Sequence, residues 1–289
     1  MKNQLPHFLQ LGLAILVMCT SGVLGRYIQL PPPVTIWLRC VIGAVALFVF
    51  LRLMRIDMKI RTNSARKILL LSSILLGAHW VTYFYSLHLS NVAIGMLSLF
   101  TYPVITALLE PLILKTTLRK SSLALAVISF AGIALLVPEL NFDNSYTLGI
   151  AIGIFSALCY SVRNILLKKQ VSNTSGITLM FYQLLIISML LWPAAFMYNI
   201  SMAHIELNWK ALLLLGLFTT ATGHTLLVLS FKHFTISTVS ILSALTPLFG
   251  TLLGYLFLDE VPTGKTLLGG SLIFVTVVAE SILSVRRNR

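Results

Sequence analysis

The chain has 289 residues, of which 57% are apolar and only 10% are charged, and its formal net charge is +13. Soluble domains carry about 25% charged residues, so this composition excludes a soluble protein with a polar exterior. Lipid-facing barrel strands alternate apolar and polar residues, and the long apolar runs of this chain do not. We therefore predict an all-α integral membrane protein.

Ten apolar runs, taken in chain order, are long enough to cross the hydrocarbon core of a bilayer, which needs roughly 20 helical residues. Proline and Asn/Ser-rich turn clusters separate several of them, as at Pro31–Pro33 and at 141–145. No A-x-A-like cleavage site follows the first run, so we expect a retained helix and not a signal peptide. The predicted transmembrane helices are 8–25, 34–52, 68–88, 91–114, 121–137, 146–166, 176–198, 209–231, 236–257 and 264–285.

Several kinds of chemistry find no support in the chain. Cys19, Cys40 and Cys159 all fall inside apolar runs, which is typical of reduced packing residues, and no disulfide or metal spacing can be built from them. No G-x-x-x-x-G-K-[ST] motif occurs and no loop is long enough for a nucleotide domain, which excludes an ATP-driven pump within this chain. No His/Glu/Asp cluster has metal-ligand or acid–base spacing, so we expect no enzyme activity, no metal and no cofactor.

The placement of the positive charges predicts the topology. With the N-terminus in the cytoplasm and alternating crossings, sixteen of the 21 Lys and Arg residues fall on the cytoplasmic side. Only Arg26, Lys210 and Lys265 fall outside, and Arg39 and Arg163 lie within helices. This is the positive-inside pattern of a multi-pass protein of the cell membrane, with both termini cytoplasmic. The basic balance then reflects topology in a lipid bilayer, and we expect no nucleic-acid partner.

The sequence contains an internal repeat with a shift of 144 residues, half the chain length. Ser86 falls on Ser230 and Pro103 on Pro247. Two units of five helices each are predicted, and five crossings carry the chain to the opposite side of the membrane. The second unit is therefore inverted relative to the first, as in the inverted repeats of secondary transporters. The predicted units are residues 1–144 and 145–289.

One stretch carries a resemblance to a known family. Residues 243–260 read SALTPLFGTLLGYLFLDE, centred on Pro247 and ending in Glu260, and a Gly-Gly pair follows at 269–270. This stretch resembles the EamA-type transporters of the drug/metabolite transporter superfamily. In the first half Pro103 matches the pattern, and the TIWLR motif ending in Arg39 is similar to the family's second helix. Thr116 stands where a second glutamate is expected, and the first helix lacks the family's late tryptophan.

The resemblance implies a cavity between the halves, lined mainly by helices one, three, four, six, eight and nine. Helices five and ten then lie away from the cavity. Whether they contact a second protomer in a homodimer stays open. The implied substrates are small metabolites, amino acids or related solutes, with export favoured over uptake. We expect a secondary active or facilitative transporter that works by alternating access between inverted repeats. A membrane-embedded enzyme and a non-transporting receptor or structural protein remain the alternatives.

Small and polar residues form one-sided stripes on four predicted helices, at spacings of three, four and seven residues. The stripes are Ser72, His79, Tyr83 and Ser86 in helix three; Gly95, Ser98, Tyr102 and Thr106 in helix four; Gly216, Thr220 and His224 in helix eight; and Ser243, Pro247, Gly250 and Gly254 in helix nine. Each stripe has a second interpretation, because small residues also let membrane helices pack closely. The prolines would kink their helices, which serves either gating or the shape of the bundle.

From these stripes and the intramembrane charges we select two sets of candidate site residues. The candidates for lining a substrate cavity are His79, Trp80, Tyr83, Ser98, Tyr102, Arg163, Thr220, His224 and Ser243. The candidates for structural or gating roles are Arg39, Pro103, Pro247, Gly250, Gly254 and Glu260.

Three of the ionisable candidates have competing interpretations. His79 lies near the middle of a membrane helix, where it either binds substrate or a coupling proton or is a neutral histidine bonded to another helix. Arg39 and Arg163 either extend to the headgroups or attract a carboxylate or phosphate at a cavity mouth. His88 and His233, nine residues beyond His79 and His224, point to the opposite face and are not expected in the site.

Overall fold

The structure is a computed structural model that describes residues 5–114, 120–137, 141–168, 170–171, 174–198, 201–234, 239, 242–243 and 245–287. Within these ranges the secondary structure is helical and no strand occurs, which confirms the all-α prediction for the described chain. The helices are α1 (Leu5–Tyr27), α2 (Pro32–Leu53), α3 (Asn63–Leu89), α4 (Val92–Leu99), α5 (Tyr102–Leu114), α6 (Lys120–Leu136), α7 (Ser145–Lys168), α8 (Gly176–Leu191), α9 (Ala194–Met197), α10 (Met202–Leu213), a π-helical segment (Leu214–His224), α11 (Thr225–Ser230), α12 (Leu245–Leu258) and α13 (Gly264–Arg287).

Seven spans of the described chain are long and apolar enough to cross a membrane. Some join two or three of these helices, as Val92–Ile113 joins α4 to α5 and Met202–Ser230 joins α10 to α11. Three shorter apolar helices, within α6, α12 and α13, lie in the fifth, ninth and tenth predicted runs. This pattern is that of a multi-pass membrane protein.

Local chemistry explains where several helices begin. Pro31 and Pro32 open α2, where a missing N–H costs no intrahelical bond. Thr62 caps α3 by accepting a hydrogen bond from Ala65 N at 3.1 Å, so this helix begins five residues before the predicted start. Asn91 caps α4 in the same way, with Ile94 N as the donor at 2.8 Å.

The two candidate prolines differ in how much of the preceding helix the structure describes. Pro103 lacks the N–H that would bond to Leu99 O, and the helix is interrupted between them, at Phe100 and Thr101. Pro247 lies near the described start of α12, and the turn before it includes residue 244, which is outside the described residues. The kink expected at Pro247 therefore stays a prediction.

The π-helical segment was not expected from the sequence. Its eleven residues fall inside predicted helix eight, and the whole helix begins at Met202, seven residues before the predicted start. The hydroxyls of Thr220 and Thr222 donate to carbonyls five residues back, at 2.7 and 3.0 Å. Side-chain hydroxyls that bond to the backbone compete with the regular helical pattern, and π-helical turns are frequent at functional sites.

The core of the bundle is formed by helices from both halves of the chain. Helix α3 packs along α7, α2 packs along α8, and α1 packs against the π-helical segment and α12. Both α4 and α5 contact α7, and α6 pairs with α13. Two glycines allow that last contact: a Cβ on Gly132 would lie 2.8 Å from Gly269 O, and one on Gly269 would lie 2.6 Å from Gly132 O.

Candidate functional site

A small cavity lies in the centre of the bundle. Its volume is about 40 Å³, which gives room for a few water molecules. The walls come from α1, α3, α4, α5, α7, the π-helical segment, the chain that leads into α12 and the described start of α12. The lining residues are Ile15, Met18, Ser21, His79, Trp80, Tyr83, Met96, Leu99, Phe100, Tyr102, Tyr160, His224, Ser243 and Thr246.

His79 is held in a defined orientation by Ser156 of α7. The Ser156 hydroxyl donates to His79 O at 2.8 Å, and its oxygen lies 2.7 Å from His79 Nδ1. A hydroxyl has one proton, so Nδ1 must carry the proton of the second hydrogen bond. The Nε2 lone pair of this buried histidine is then left for a proton or for a ligand in the cavity.

Aromatic rings surround His79 on the cavity wall. The Tyr160 ring stacks on the imidazole with 4.4 Å between centroids, and the Tyr83 ring lies parallel to it at 6.1 Å. Tyr102 meets Tyr160 edge to face at 5.0 Å. These rings form an amphipathic surface that can stack on a planar group and donate hydrogen bonds at its edge.

Trp80 and His224 form the opposite part of the wall. Their rings meet edge to face at 5.0 Å, which brings α3 against the π-helical segment. Both side chains are buried, and His224 Nδ1 has no hydrogen-bond partner among the residues that the structure describes. Two buried histidines therefore border one cavity, each with a ring nitrogen available to a ligand.

Arg39 lies behind Trp80 and does not line the cavity. Its guanidinium carbon is 4.3 Å from the Trp80 ring centroid, and its Nε donates to Thr220 Oγ1 at 2.8 Å. Thr220 is thus bonded to Arg39 and lies outside the cavity lining. Arg39 is completely buried, so its side chain does not extend to the headgroups.

Arg163 is also buried completely and lies outside the cavity lining. Its Nη2 donates to Gln183 Oε1 at 2.6 Å, and its Nη1 donates to Asn164 Oδ1 at 3.0 Å. Gln183 in turn donates to Ser72 Oγ at 3.0 Å, so this network joins α7, α8 and α3. The interpretation that Arg163 reaches the headgroups is wrong for the same reason as for Arg39.

Three further candidates lie at helix contacts. Ser98 donates to Ile94 O at 2.8 Å, and a Cβ on Gly153 would lie 2.6 Å from its Cβ, so it packs against α7 outside the cavity lining. Gly250 and Gly254 of α12 face α4, where an added Cβ would meet Met96 Sδ and, at 3.2 Å, Val92 Cβ respectively.

Glu260 belongs to a polar cluster at one end of the bundle, which we call the Arg26–Glu260 cluster. Its carboxylate accepts from Arg26 Nε at 3.2 Å and from Val92 N at 2.7 Å. Arg26 Nη1 also donates to His88 O at 3.1 Å. Asp259 has φ of 54°, a left-handed conformation that ends α12 and precedes the turn to Glu260. The cluster joins the ends of α1, α3, α4 and α12.

Sequence reasoning selected Arg163 on α7 but missed Ser156 and Tyr160 of the same helix. Ser156, Tyr160 and Arg163 are spaced four and three residues apart, which is the helical stripe pattern used to select candidates on the other helices. Arg26 was also missed, because a basic residue near a helix end is routine. His88 and His233, expected outside the site, bond to Gly25 O at 2.9 Å and stack on His7 at 3.6 Å respectively.

Comparison with known proteins adds the family context. The EamA-like transporter family model matches two stretches of the chain, residues 8–137 and 147–280. A pseudopaline exporter of Pseudomonas aeruginosa is 22% identical over 274 residues, which cover 93% of this chain and 94% of that protein. An uncharacterized transporter of Archaeoglobus fulgidus is 27% identical over 68% of this chain and 70% of its own length.

Two further matches differ in extent. An uncharacterized transporter of Synechocystis is 26% identical over 62% of this chain, and the match spans 55% of its own length. A crystal structure with a TM-score of 0.71 covers 98% of this chain and 99% of its own chain at 19% identity, which shows a shared fold. The family and the named relatives point to a membrane transporter and not to an enzyme.

Proposed function

Because this chain belongs to the EamA-like transporter family, we propose that it is a secondary active or facilitative transporter of small metabolites, amino acids or related solutes. The observation that carries the proposal is the central cavity, which is enclosed by helices of both halves and bordered by His79 and His224. The name of the Pseudomonas relative, a pseudopaline exporter, supports export as the direction.

Ten transmembrane helices, arranged as inverted repeats over residues 1–144 and 145–289, belong to this proposal. The two stretches matched by the family model support it, because they correspond to these halves. The helix contacts support it as well. A shift of 144 residues relates α3 to the π-helical segment and α1 to α7, so the α3–α7 contact has a counterpart in the contact of α1 with the π-helical segment. Trp80 and His224, which are 144 residues apart, touch each other near the centre.

Alternating access would follow from contacts between the halves at both ends of the bundle. At one end, the Arg26–Glu260 cluster holds α1 and α4 to the end of α12. At the other, Gln10 of α1 donates to Leu226 O at 3.2 Å. With both sets formed the cavity is too small for a metabolite, and release of one set would open it to one side.

Orientation and coupling complete the proposal. The positive-inside pattern supports an orientation with the Arg26–Glu260 cluster on the outer side of the cell membrane and both termini in the cytoplasm. His79 Nε2, whose lone pair is not used by the bond to Ser156, is the proposed proton acceptor. A histidine that gains and loses a proton during the cycle would couple a proton gradient to solute movement.

Flux measurements in proteoliposomes test the function. We expect the purified protein to move at least one member of a panel of radiolabelled amino acids and related metabolites well above the rate of protein-free liposomes. If the mechanism is proton-coupled, an imposed pH gradient should accelerate the flux. Rates equal to those of protein-free liposomes across the panel, with correctly folded protein, would refute the transporter proposal.

A further inference from the structure

We propose that the transported solute is an anion, and that Arg39 and Arg163 select it by its carboxylate. This inference rests on the transporter function proposed above and specifies the chemistry of the substrate. It starts from two positive charges inside the bundle, one in each half of the chain.

Neither arginine has a counter-ion in the described part of the chain. The salt bridges found there are Arg26–Glu260 and Arg61–Asp57, and neither involves Arg39 or Arg163. Both guanidinium groups are completely buried within membrane-spanning helices. A buried cation is costly and is normally balanced by a nearby anion. The missing negative charge is therefore the first evidence for an anionic ligand.

The second observation is the set of unused hydrogen-bond donors on Arg39. Only its Nε is bonded, to Thr220, and Nη1 and Nη2 have no partner among the described residues. A guanidinium carries five N–H groups, so four of them are unmatched. The Trp80 ring offsets part of the positive charge but cannot accept these hydrogen bonds in the manner of an oxyanion. A carboxylate matches this planar fork through two parallel hydrogen bonds.

Arg163, in the second half of the chain, also has an unused hydrogen-bond donor. Its Nη1 and Nη2 are bonded to Asn164 and Gln183, while its Nε lacks a partner in the described chain. The two amides are neutral, so they satisfy donors without balancing the charge. Arg163 lies one helical turn from Tyr160, which lines the cavity.

The position of the arginines relative to the cavity completes the argument. Trp80 borders the cavity and its ring packs against the Arg39 guanidinium, while Arg163 lies one helical turn from Tyr160, which also borders the cavity. Both positive charges therefore lie close to the cavity wall. In a poorly polarisable interior, their field favours an anionic solute in the cavity. Rotation of Trp80 would let a carboxylate reach Arg39 Nη1 and Nη2 directly.

Paired probes of equal size but different charge test the inference. We would compare fluxes of succinate with succinamide and of glutarate with glutaramide in proteoliposomes, because these diamides carry no carboxylate. For the pair that the wild-type protein moves fastest, we expect the acid to exceed the amide at least tenfold. Arg39→Gln and Arg163→Gln should each reduce this ratio at least fivefold. Arg61→Gln, an exposed arginine paired with Asp57, is the matched control and should leave it unchanged.

Two further measurements separate charge selection from a structural role. Arg39→Lys keeps the charge and should retain most of the preference for the acid, provided that its elution profile is that of the wild type. Succinate should raise the melting temperature of the detergent-solubilised wild-type protein more than succinamide does, and this difference should vanish in Arg39→Gln. Amides moved as fast as acids would overturn the anion inference alone. No flux of any probe or of the wider panel would refute the transporter function and the inference together.

Discussion

At the scale of single residues, the environment of His79 separates two interpretations that its position alone leaves open. The bond to Ser156 is what a structural histidine would have, and it occupies Nδ1. The cavity position and the free Nε2 lone pair are what a functional histidine needs. The two roles use different atoms of the same ring, so a substitution can remove one and preserve the other.

The first prediction uses this separation. In His79→Gln, the side-chain amide can still donate to Ser156, but it cannot bind a proton. We expect the folded yield to stay near that of the wild type and the flux, or its dependence on pH, to fall at least tenfold. Proteoliposome assays between pH 5.5 and 8, on the order of one unit either side of the ordinary histidine pKa, measure both effects.

The matched control for His79→Gln is Ser156→Ala. This substitution frees the ring without removing the proton acceptor, and leaves a buried donor unpaired, which costs about 1–3 kcal/mol. It should lower thermal stability while the pH profile keeps its shape. An unchanged flux and pH profile in well-expressed His79→Gln protein would remove His79 from the site.

At the scale of helices, glycines determine how closely two elements approach. Helices α6 and α13 meet through Gly132 and Gly269, each of which faces the backbone carbonyl of the other. Backbone atoms cannot move aside as a flexible side chain can, so even a methyl group has no room there. Helices five and ten of the sequence analysis thus pack on each other, apart from the cavity lining.

We predict that Gly269→Ala destabilises the protein by about 1–3 kcal/mol because the new methyl group overpacks the contact with α6. Thermal unfolding in detergent, compared with wild type, measures the effect. Gly12→Ala is the matched control: it also lies within a helix, and its Cβ would meet nothing within 4 Å. Alanine is the better helix former by up to about 1 kcal/mol, so this variant should be neutral or more stable. Equal effects in both variants would contradict the packing argument.

A second prediction at this scale concerns the Arg26–Glu260 cluster. The two side chains are 35% and 19% exposed, so the ion pair is partly shielded from solvent. In Glu260→Gln the charge is lost, and with about 1 kcal/mol less stabilisation the contact between α1 and α12 opens about fivefold more often. Ser21 lines the cavity and reports on this opening when it is replaced by cysteine in a background without the native cysteines.

The measurement is the rate at which a thiol reagent labels Ser21→Cys, with and without Glu260→Gln. Asp57→Asn is the control, because it removes an exposed carboxylate that pairs with Arg61 far along the chain from the cluster. Hydrogen bonds from Lys59 N and from Arg61 lower the pKa of Asp57 below its ordinary value. The control variant thus removes a charge that persists at neutral pH. Labelling that Asp57→Asn accelerates as much as Glu260→Gln would argue against a local gate.

At the scale of the whole molecule, the direction of transport depends on the topology, that is, on which side of the membrane each connecting segment lies. The segment that joins α2 to α3 is strongly basic, and the turn before α7 carries no basic residue from 141 to 145. Positively charged segments are retained in the cytoplasm during insertion. The first segment should therefore be cytoplasmic and the second external.

Single cysteines test this topology in a background that lacks Cys19, Cys40 and Cys159. An impermeant thiol reagent added to intact cells should label Asp143→Cys and should not label Arg61→Cys. Cell disruption, which exposes both sides, should allow both positions to react and is the control for reagent access. Labelling at position 61 but not at 143 in intact cells would invert the proposed orientation.

The class of the protein and the positions of its membrane spans followed from the sequence alone. Backbone groups inside a bilayer must be bonded within the protein, so long apolar runs can form little but helices. Seven of the predicted runs overlap the seven spans of the described chain that are long and apolar enough to cross a membrane. The other three overlap shorter apolar helices, so the count of ten transmembrane helices stays a prediction. Helix ends were less accurate, as at Asn63 and Met202, because polar caps and flanking residues extend helices beyond the apolar core.

Only the tertiary structure decided which residues meet at the cavity. Lipid chains are as apolar as leucine, so hydrophobicity does not tell a face that packs on another helix from a face that meets lipid. Ser98 and Tyr102 belong to one predicted stripe, yet Ser98 packs on Gly153 and Tyr102 lines the cavity. Arg39 lies behind Trp80, and Ser156 reaches His79 from 77 residues away. Such contacts depend on the crossing and rotation of whole helices, which no local pattern encodes.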